Sequence, residues 1–83
     1  MPHSMVLQEG EEPKDPGNFV TVEQIPAPRG APRYRVSASG RDEKGPTHFD
    51  KTSDSLEIVQ QWAIELSQTW TSQPPIYMRH PLA

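Results

Sequence analysis

One stretch of the chain has apolar residues spaced for a long helix, and it constrains the fold more than any other feature. It reads TSDSLEIVQQWAIELSQTW and covers residues 52–70. Its apolar positions recur at i, i+3, i+4, i+7 and i+11, which is the spacing of a single helical face. That face consists of Val59, Trp62, Ala63, Leu66 and Trp70. The pattern predicts one helix with one buried side, in which the two tryptophans anchor the core.

Both ends of this helix carry sequence signals. Thr52, Ser53 or Asp54 can act as the N-cap, because their side-chain oxygens can accept a free backbone N–H of the first turn. The prolines at 74–75 exclude helical backbone directly before them, so the helix should end before Gln73.

The segment before the helix has the patterns of β-strands. β-branched and aromatic residues cluster from Phe19 to Ile25, and Pro26 ends the run. In RYRVSAS, residues 33–39, apolar and polar residues alternate, which indicates a strand with one dry face. PAPRGAP is a stiff connector between the two, and GRDEKG is a turn after which PTHFD returns as a short third strand.

These elements predict an α+β fold: a three-stranded antiparallel sheet with one C-terminal helix packed on one face, in the order β-β-β-α. The chain has 83 residues, 33% hydrophobic residues and ten prolines, so we expect a small core with loose ends. Residues 1–17 are a disordered acidic leader, because four acidic side chains accompany a single lysine there. Residues 18–73 form the domain, and residues 74–83 form a Pro-rich tail.

Several function classes lack a sequence signal. The chain has no cysteine, and its three histidines are too far apart to show metal-ligand spacing. His48, Asp50 and Ser53 are residue types of a hydrolytic triad, but no nucleophile elbow frames them. We therefore expect no enzymatic activity, cofactor or metal. The sequence also lacks a secretory signal and an apolar membrane span, so a cytoplasmic protein is expected.

The helix-free side of the predicted sheet is the candidate interaction surface. Nothing in the order of elements covers it, and its side chains combine apolar, charged and small polar groups. They are Phe19, Thr21, Glu23 and Ile25 of the first strand and Arg33, Arg35, Ser37 and Ser39 of the second. Glu23 can pair with Arg33 or Arg35 across the strands. A homodimer through this face would add the stability that a small core lacks; the competing expectation is a monomer whose face is covered by the C-terminal tail.

The tail itself allows two interpretations. Residues 74–77, PPIY, resemble the PPxY peptide that WW domains bind, which would make the tail a ligand for such a domain. Alternatively, Ile76 and Tyr77 fold back onto apolar surface such as Ile64, or offer that surface to a partner. The second interpretation agrees better with a chain that has little apolar area.

The functional prediction is a small non-enzymatic binding module or inhibitor that acts on a protein partner through the open sheet face and the C-terminal tail. Small bacterial and phage proteins often share this order of elements. The alternative is a nucleic-acid-binding module that uses the arginines of the sheet face, with Phe19 or Tyr34 for stacking. A net charge of −3 opposes that alternative.

Overall fold

The computed structural model describes residues 4–7, 10–26 and 29–79. Parts of the predicted leader, connector and tail, including residues 27–28 and 80–83, lie outside the described residues. The described chain forms one five-stranded sheet, in the order β1-β5-β2-β3-β4, and one helix. The elements are β1 (Ser4–Leu7), β2 (Phe19–Ile25), β3 (Arg33–Asp42), β4 (Gly45–Ser53), α1 (Leu56–Thr69) and β5 (Ile76–Arg79).

The fold is α+β with a C-terminal helix, as predicted. The prediction of a three-stranded antiparallel sheet is wrong, because the sheet has five strands and is mixed. β2, β3 and β4 form the expected antiparallel unit, and β5 adds to β2 in parallel, with β1 parallel to β5 at the edge. Each added strand has only four residues. These two strands pair with each other although they lie near opposite ends of the sequence, so that Met5 is beside Tyr77. A local sequence pattern carries no signal of a pairing between such distant segments.

β3 and β4 join in a tight hairpin. Asp42 pairs with Gly45, so the loop consists of Glu43 and Lys44 alone. The Asp42 Oδ1 atom accepts a hydrogen bond from the Lys44 N–H at 2.8 Å. Gly45 has a φ of +117°, a conformation that side-chain-bearing residues rarely adopt. The turn therefore fixes the register of β4 against β3.

The helix begins later than the cap candidates suggested. β4 extends through Ser53, so Thr52, Ser53 and Asp54 are not the N-cap. Ser55 fills that position, and its Oγ accepts a hydrogen bond from the Ile58 N–H at 3.3 Å. The helix ends at Thr69, before Gln73 as predicted.

The core lies between α1 and the side of the sheet that faces it. Four valines form its fully buried centre: Val20, Val22, Val36 and Val59. Trp70 is buried against this core, whereas Trp62 is half-buried at its margin and meets Phe49 edge-to-face with ring centroids 6.3 Å apart. The apolar helix stripe is therefore a core stripe, as predicted, with Trp62 at its border.

The proline-containing stretch before β5 belongs to the folded body. Pro74 is fully buried, and its carbonyl accepts a 2.7 Å hydrogen bond from the Ser67 hydroxyl. The carbonyl of Pro75 accepts the Val20 N–H at 2.9 Å. Tyr77 is only 6% exposed. The PPxY-like residues thus form the start of the central strand β5 and the segment that leads into it. The tyrosine is buried, so it is not accessible to the groove of a WW domain.

Residues 10–18, the strap, connect β1 to β2 over the helix-free side of β5. Arg79, on that side of β5, donates a 2.9 Å hydrogen bond to the Glu11 carbonyl and lies 3.9 Å from a Glu12 carboxylate oxygen. Leu7 and Tyr77 are buried beneath it, although α1 packs on the opposite side. The segment predicted as a disordered leader therefore contains β1 and the strap. No helix among the described residues is long and apolar enough to cross a membrane.

Candidate binding surface

The helix-free side of β2, β3 and β4, the open face, is where sequence alternation placed the candidate site. The structure puts six predicted residues on it: Phe19, Thr21, Glu23, Ile25, Arg33 and Arg35. Their side chains alternate with Val20, Val22 and Val36, which face the helix. The strap covers the neighbouring β5 and leaves the β3–β4 part of this face exposed.

A row of paired charges crosses the open face. The Arg35 guanidinium donates two hydrogen bonds to the Asp50 carboxylate, one from Nε to Oδ1 at 2.9 Å and one from Nη2 to Oδ2. Its Nη1 atom also lies 3.8 Å from Glu23 Oε1. The hydrogen bond and charge of Asp50 raise the pKa of Arg35, and the hydrogen bond from Arg35 lowers the pKa of Asp50. This charge ladder, Glu23–Arg35–Asp50, orients side chains of three adjacent strands.

Two further cross-strand contacts flank the charge ladder. Arg33 donates a hydrogen bond from Nη2 to Thr52 Oγ1 at 3.2 Å. On the other flank, Ser39 Oγ and His48 Nδ1 are 3.1 Å apart. Both contacts join β3 to β4, so most polar groups at the centre of the open face have a fixed neighbour. A partner would meet an ordered polar surface.

A groove of about 550 Å³ separates the strap from β2 and β3. The strap supplies Pro13 and Pro16 to its wall, while the sheet supplies Phe19, Thr21 and Ser37, and Glu12 and Arg79 complete the lining. Thr21 is buried and donates a 3.3 Å hydrogen bond to the Ser37 carbonyl. The groove is largely apolar, with hydroxyl groups on the sheet side, and an inserted side chain could contact both.

The other three predicted contact residues do not join this surface. Ile64 is 44% exposed on the opposite side of the sheet, where it borders a cavity of about 260 Å³ with Ile76 and Met78. Ile76 is in the core, and Tyr77 is buried beneath the strap. Strand alternation had placed Ser37 on this face, but sequence reasoning missed Asp50 and the strap prolines. Only Asp50 had a usable signal, because β4 alternates polar residues at 48, 50 and 52.

The structure does not bring the residues of a hydrolytic triad together, and two of the three histidines, His3 and His80, lie outside the described residues. His48 contacts Ser39, while the Asp50 carboxylate binds Arg35. Ser53 lies at an odd position of β4, on the side that faces the helix. Within the described ranges, no three His, Cys, Asp or Glu side chains are grouped to hold a metal ion. Comparison with known protein families, curated proteins and solved structures finds no significant match to the chain.

Proposed function

We propose that this chain is a non-enzymatic binding module whose protein partner covers the open face and inserts a side chain into the adjoining groove. The observation that carries the proposal is the groove of about 550 Å³ beside an ordered polar surface. Protein interfaces combine an apolar centre with a polar rim of directional hydrogen bonds. Here Phe19 and the strap prolines supply the apolar centre, and the charge ladder with Ser39 and His48 supplies the polar rim.

A protein partner fits this surface better than a nucleic acid does. Arg35 lies between two carboxylates, and Arg33 donates to Thr52, so neither guanidinium is wholly free for phosphate contacts. Tyr34, a candidate stacking residue, is buried against the helix. The strap adds acidic side chains, and the whole chain carries −3. Nucleic acid remains the alternative, supported by Arg33 and Phe19 sharing one face.

The open face is a less suitable site for pairing two copies of the chain. A homodimer through it would gain from Arg35 of one copy contacting Glu23 of the other. In the structure, Arg35 is already paired with Glu23 and Asp50 of its own chain. Because an exchange of such partners adds little net attraction, the open face is better matched to a different protein.

A capture experiment with a groove-filling variant tests the proposal. Ser37→Tyr places a phenol ring in the groove, and Gln68→Tyr adds the same ring to the exposed surface of α1. Captured from native lysate with nuclease present, the partner should be retained by the wild type and by Gln68→Tyr and reduced at least about tenfold by Ser37→Tyr. Circular dichroism establishes that both variants are folded.

Two results would contradict the proposal. Equal retention by Ser37→Tyr and Gln68→Tyr would place the partner elsewhere on the chain. Loss of all captured material on nuclease treatment, with a steep fall of affinity as salt rises, would identify the alternative nucleic-acid ligand.

A further inference from the structure

β4 is a long edge strand of the sheet. It has nine residues, and every one of them pairs with β3 on one side only. The other edge, β1, has four residues. In an antiparallel pair, alternate residues direct their backbone groups away from the neighbouring strand. An edge of this length therefore presents a row of unpaired backbone groups on which another strand can add.

Pro46 indicates which residues of β4 point outward. Proline occurs in an edge strand where its missing N–H would face solvent rather than the neighbouring strand. With Pro46 in the outward set, alternation assigns the outward N–H groups to His48, Asp50 and Thr52. The groups of Thr47, Phe49 and Lys51 then bond to β3.

We propose that two copies of the chain pair antiparallel along β4, about a two-fold axis at Phe49, and join their sheets into one. Phe49 is the midpoint of Gly45–Ser53, so this register is the one that pairs the full length of both strands. It places the outward groups of His48 opposite those of Asp50 in the second copy. The contact is made by the backbone edge of β4, which borders the open face of the proposed function and shares His48 and Asp50 with it.

The charges of β4 favour this register over its neighbours. Centred on Phe49, the pairing places His48 opposite Asp50 of the other copy, and Thr47 opposite Lys51. A register centred on Asp50 would place two carboxylates opposite each other, and one centred on Lys51 would place two ammonium groups together. Directly opposed like charges destabilise an antiparallel pair, whereas opposite or neutral pairs do not.

An aromatic margin beside the edge strengthens the contact, and the Lys51 ammonium group lies over it, with Nζ 5.6 Å from the Phe49 ring centroid and 5.4 Å from that of Trp62. On the helix side, the two Phe49 rings would meet at the axis, next to the half-buried Trp62 that each ring already contacts at 6.3 Å. Ile58 lies one helical turn before Trp62 and is 44% exposed. Pairing of the strands would bring these apolar groups of both copies together.

The arrangement leaves the proposed binding surface accessible. A two-fold axis perpendicular to the sheet keeps both helices on one side and both open faces on the other. The dimer would therefore present two open faces side by side to a partner. Partner binding and self-association are measured in separate experiments, so the failure of one can be distinguished from the failure of the other.

Hydrogen exchange measured by NMR tests the pairing directly. At about 500 μM protein, the amides of His48, Asp50 and Thr52 should exchange at least about tenfold more slowly than at about 5 μM, because each then donates to the second copy. Phe49 and Lys51 provide an internal control, since their amides bond to β3 at both concentrations. Sedimentation should show dimers at the higher concentration.

A charge variant adds a second readout. His48→Asp places a carboxylate opposite Asp50 at two symmetric sites and should raise the dimer dissociation constant at least about tenfold. Gln61→Glu, on the exposed surface of α1, changes the formal charge equally and should leave it unchanged. A monomer at 500 μM, or concentration-independent exchange at His48 and Asp50, would overturn the proposal. So would a dimer abolished by Ser37→Tyr but insensitive to His48→Asp.

Discussion

Gly40 has no side chain, and the indole ring of Trp70 occupies the space where one would lie. A Cβ atom at this position would be 2.8 Å from Trp70 Cε3 and 2.9 Å from Ser72 Oγ. The sequence suggested only that Gly40 opens a turn. In the structure it lies within β3 and allows the last tryptophan of the helix stripe to lie against the sheet.

Gly40→Ala should therefore destabilise the fold, although alanine is normally at least as compatible with a strand as glycine. The added methyl must displace the indole ring of Trp70 and the side chain of Ser72, which costs about 1 to 3 kcal/mol of unfolding free energy. Gly17→Ala is the matched control, since its Cβ would meet Asp15 Oδ1 at an ordinary 3.4 Å. Urea unfolding of both variants gives the comparison, and equal stability of Gly40→Ala and wild type would contradict the tight contact.

The Arg35–Asp50 pair should make a small, pH-dependent contribution to stability. Because Arg35 lowers the pKa of Asp50 in the folded state, the contribution is present above the unfolded carboxyl pKa, about 4, and is lost as the pH falls through the folded value. Both side chains are substantially exposed, so at pH 7 it should not exceed about 1 kcal/mol.

Urea unfolding of wild type and Asp50→Asn from pH 7 to about pH 2 measures that contribution. The difference between them should narrow as the pH falls below about 4. Glu43→Gln, in the exposed hairpin turn, controls for removing a carboxylate elsewhere. A difference that persists unchanged at the lowest pH would show that Asp50 stabilises the fold by something other than its charge.

At the scale of elements, local patterns were sufficient for β2 and for the helix, and insufficient for β1 and β5. β2 runs from Phe19 to Ile25 as its β-branched cluster predicted, and α1 follows the apolar stripe. β1 and β5 are short strands, and Leu7 and Tyr77 are their buried residues on the side of the strap. The stability of these strands comes from their pairing with each other and from the strap that covers them. Such contacts join the two ends of the chain, and no window of sequence contains both.

Two adjacent residues of β1 provide a sharp test of this docking. Leu7 is 4% exposed, on the side covered by the strap, whereas Val6 is 53% exposed on the other side. Leu7→Ala should cost about 2 to 5 kcal/mol of unfolding free energy, because it empties a buried site. Val6→Ala should change it by less than about 0.5 kcal/mol. Thermal or urea unfolding separates the two, and equal, small effects would mean that β1 adds nothing to the fold.

At the scale of the molecule, the sequence predicted the position of the candidate surface better than its shape. Strand alternation correctly placed Phe19 and Arg35 on the helix-free side, because that inference needs only the limits of a strand. The groove needs Pro13 and Pro16 to cross β5, and the charge ladder needs the register of β4 against β3. The groove and the charge ladder both depend on contacts between segments that are distant in the sequence. No local sequence pattern predicts such contacts.

The proposed β4 dimer also predicts how the stability of the whole molecule depends on its concentration. Association that occurs only between folded chains stabilises them by mass action, so a hundredfold increase in protein concentration adds at most about 2.7 kcal/mol per dimer, the limit reached when the chain is dimeric throughout that range. The urea midpoint of the wild type should rise accordingly between about 5 and 500 μM, while that of His48→Asp should change much less. If the wild-type midpoint is the same at both concentrations, the chain folds as an independent monomer and the length of β4 has another cause.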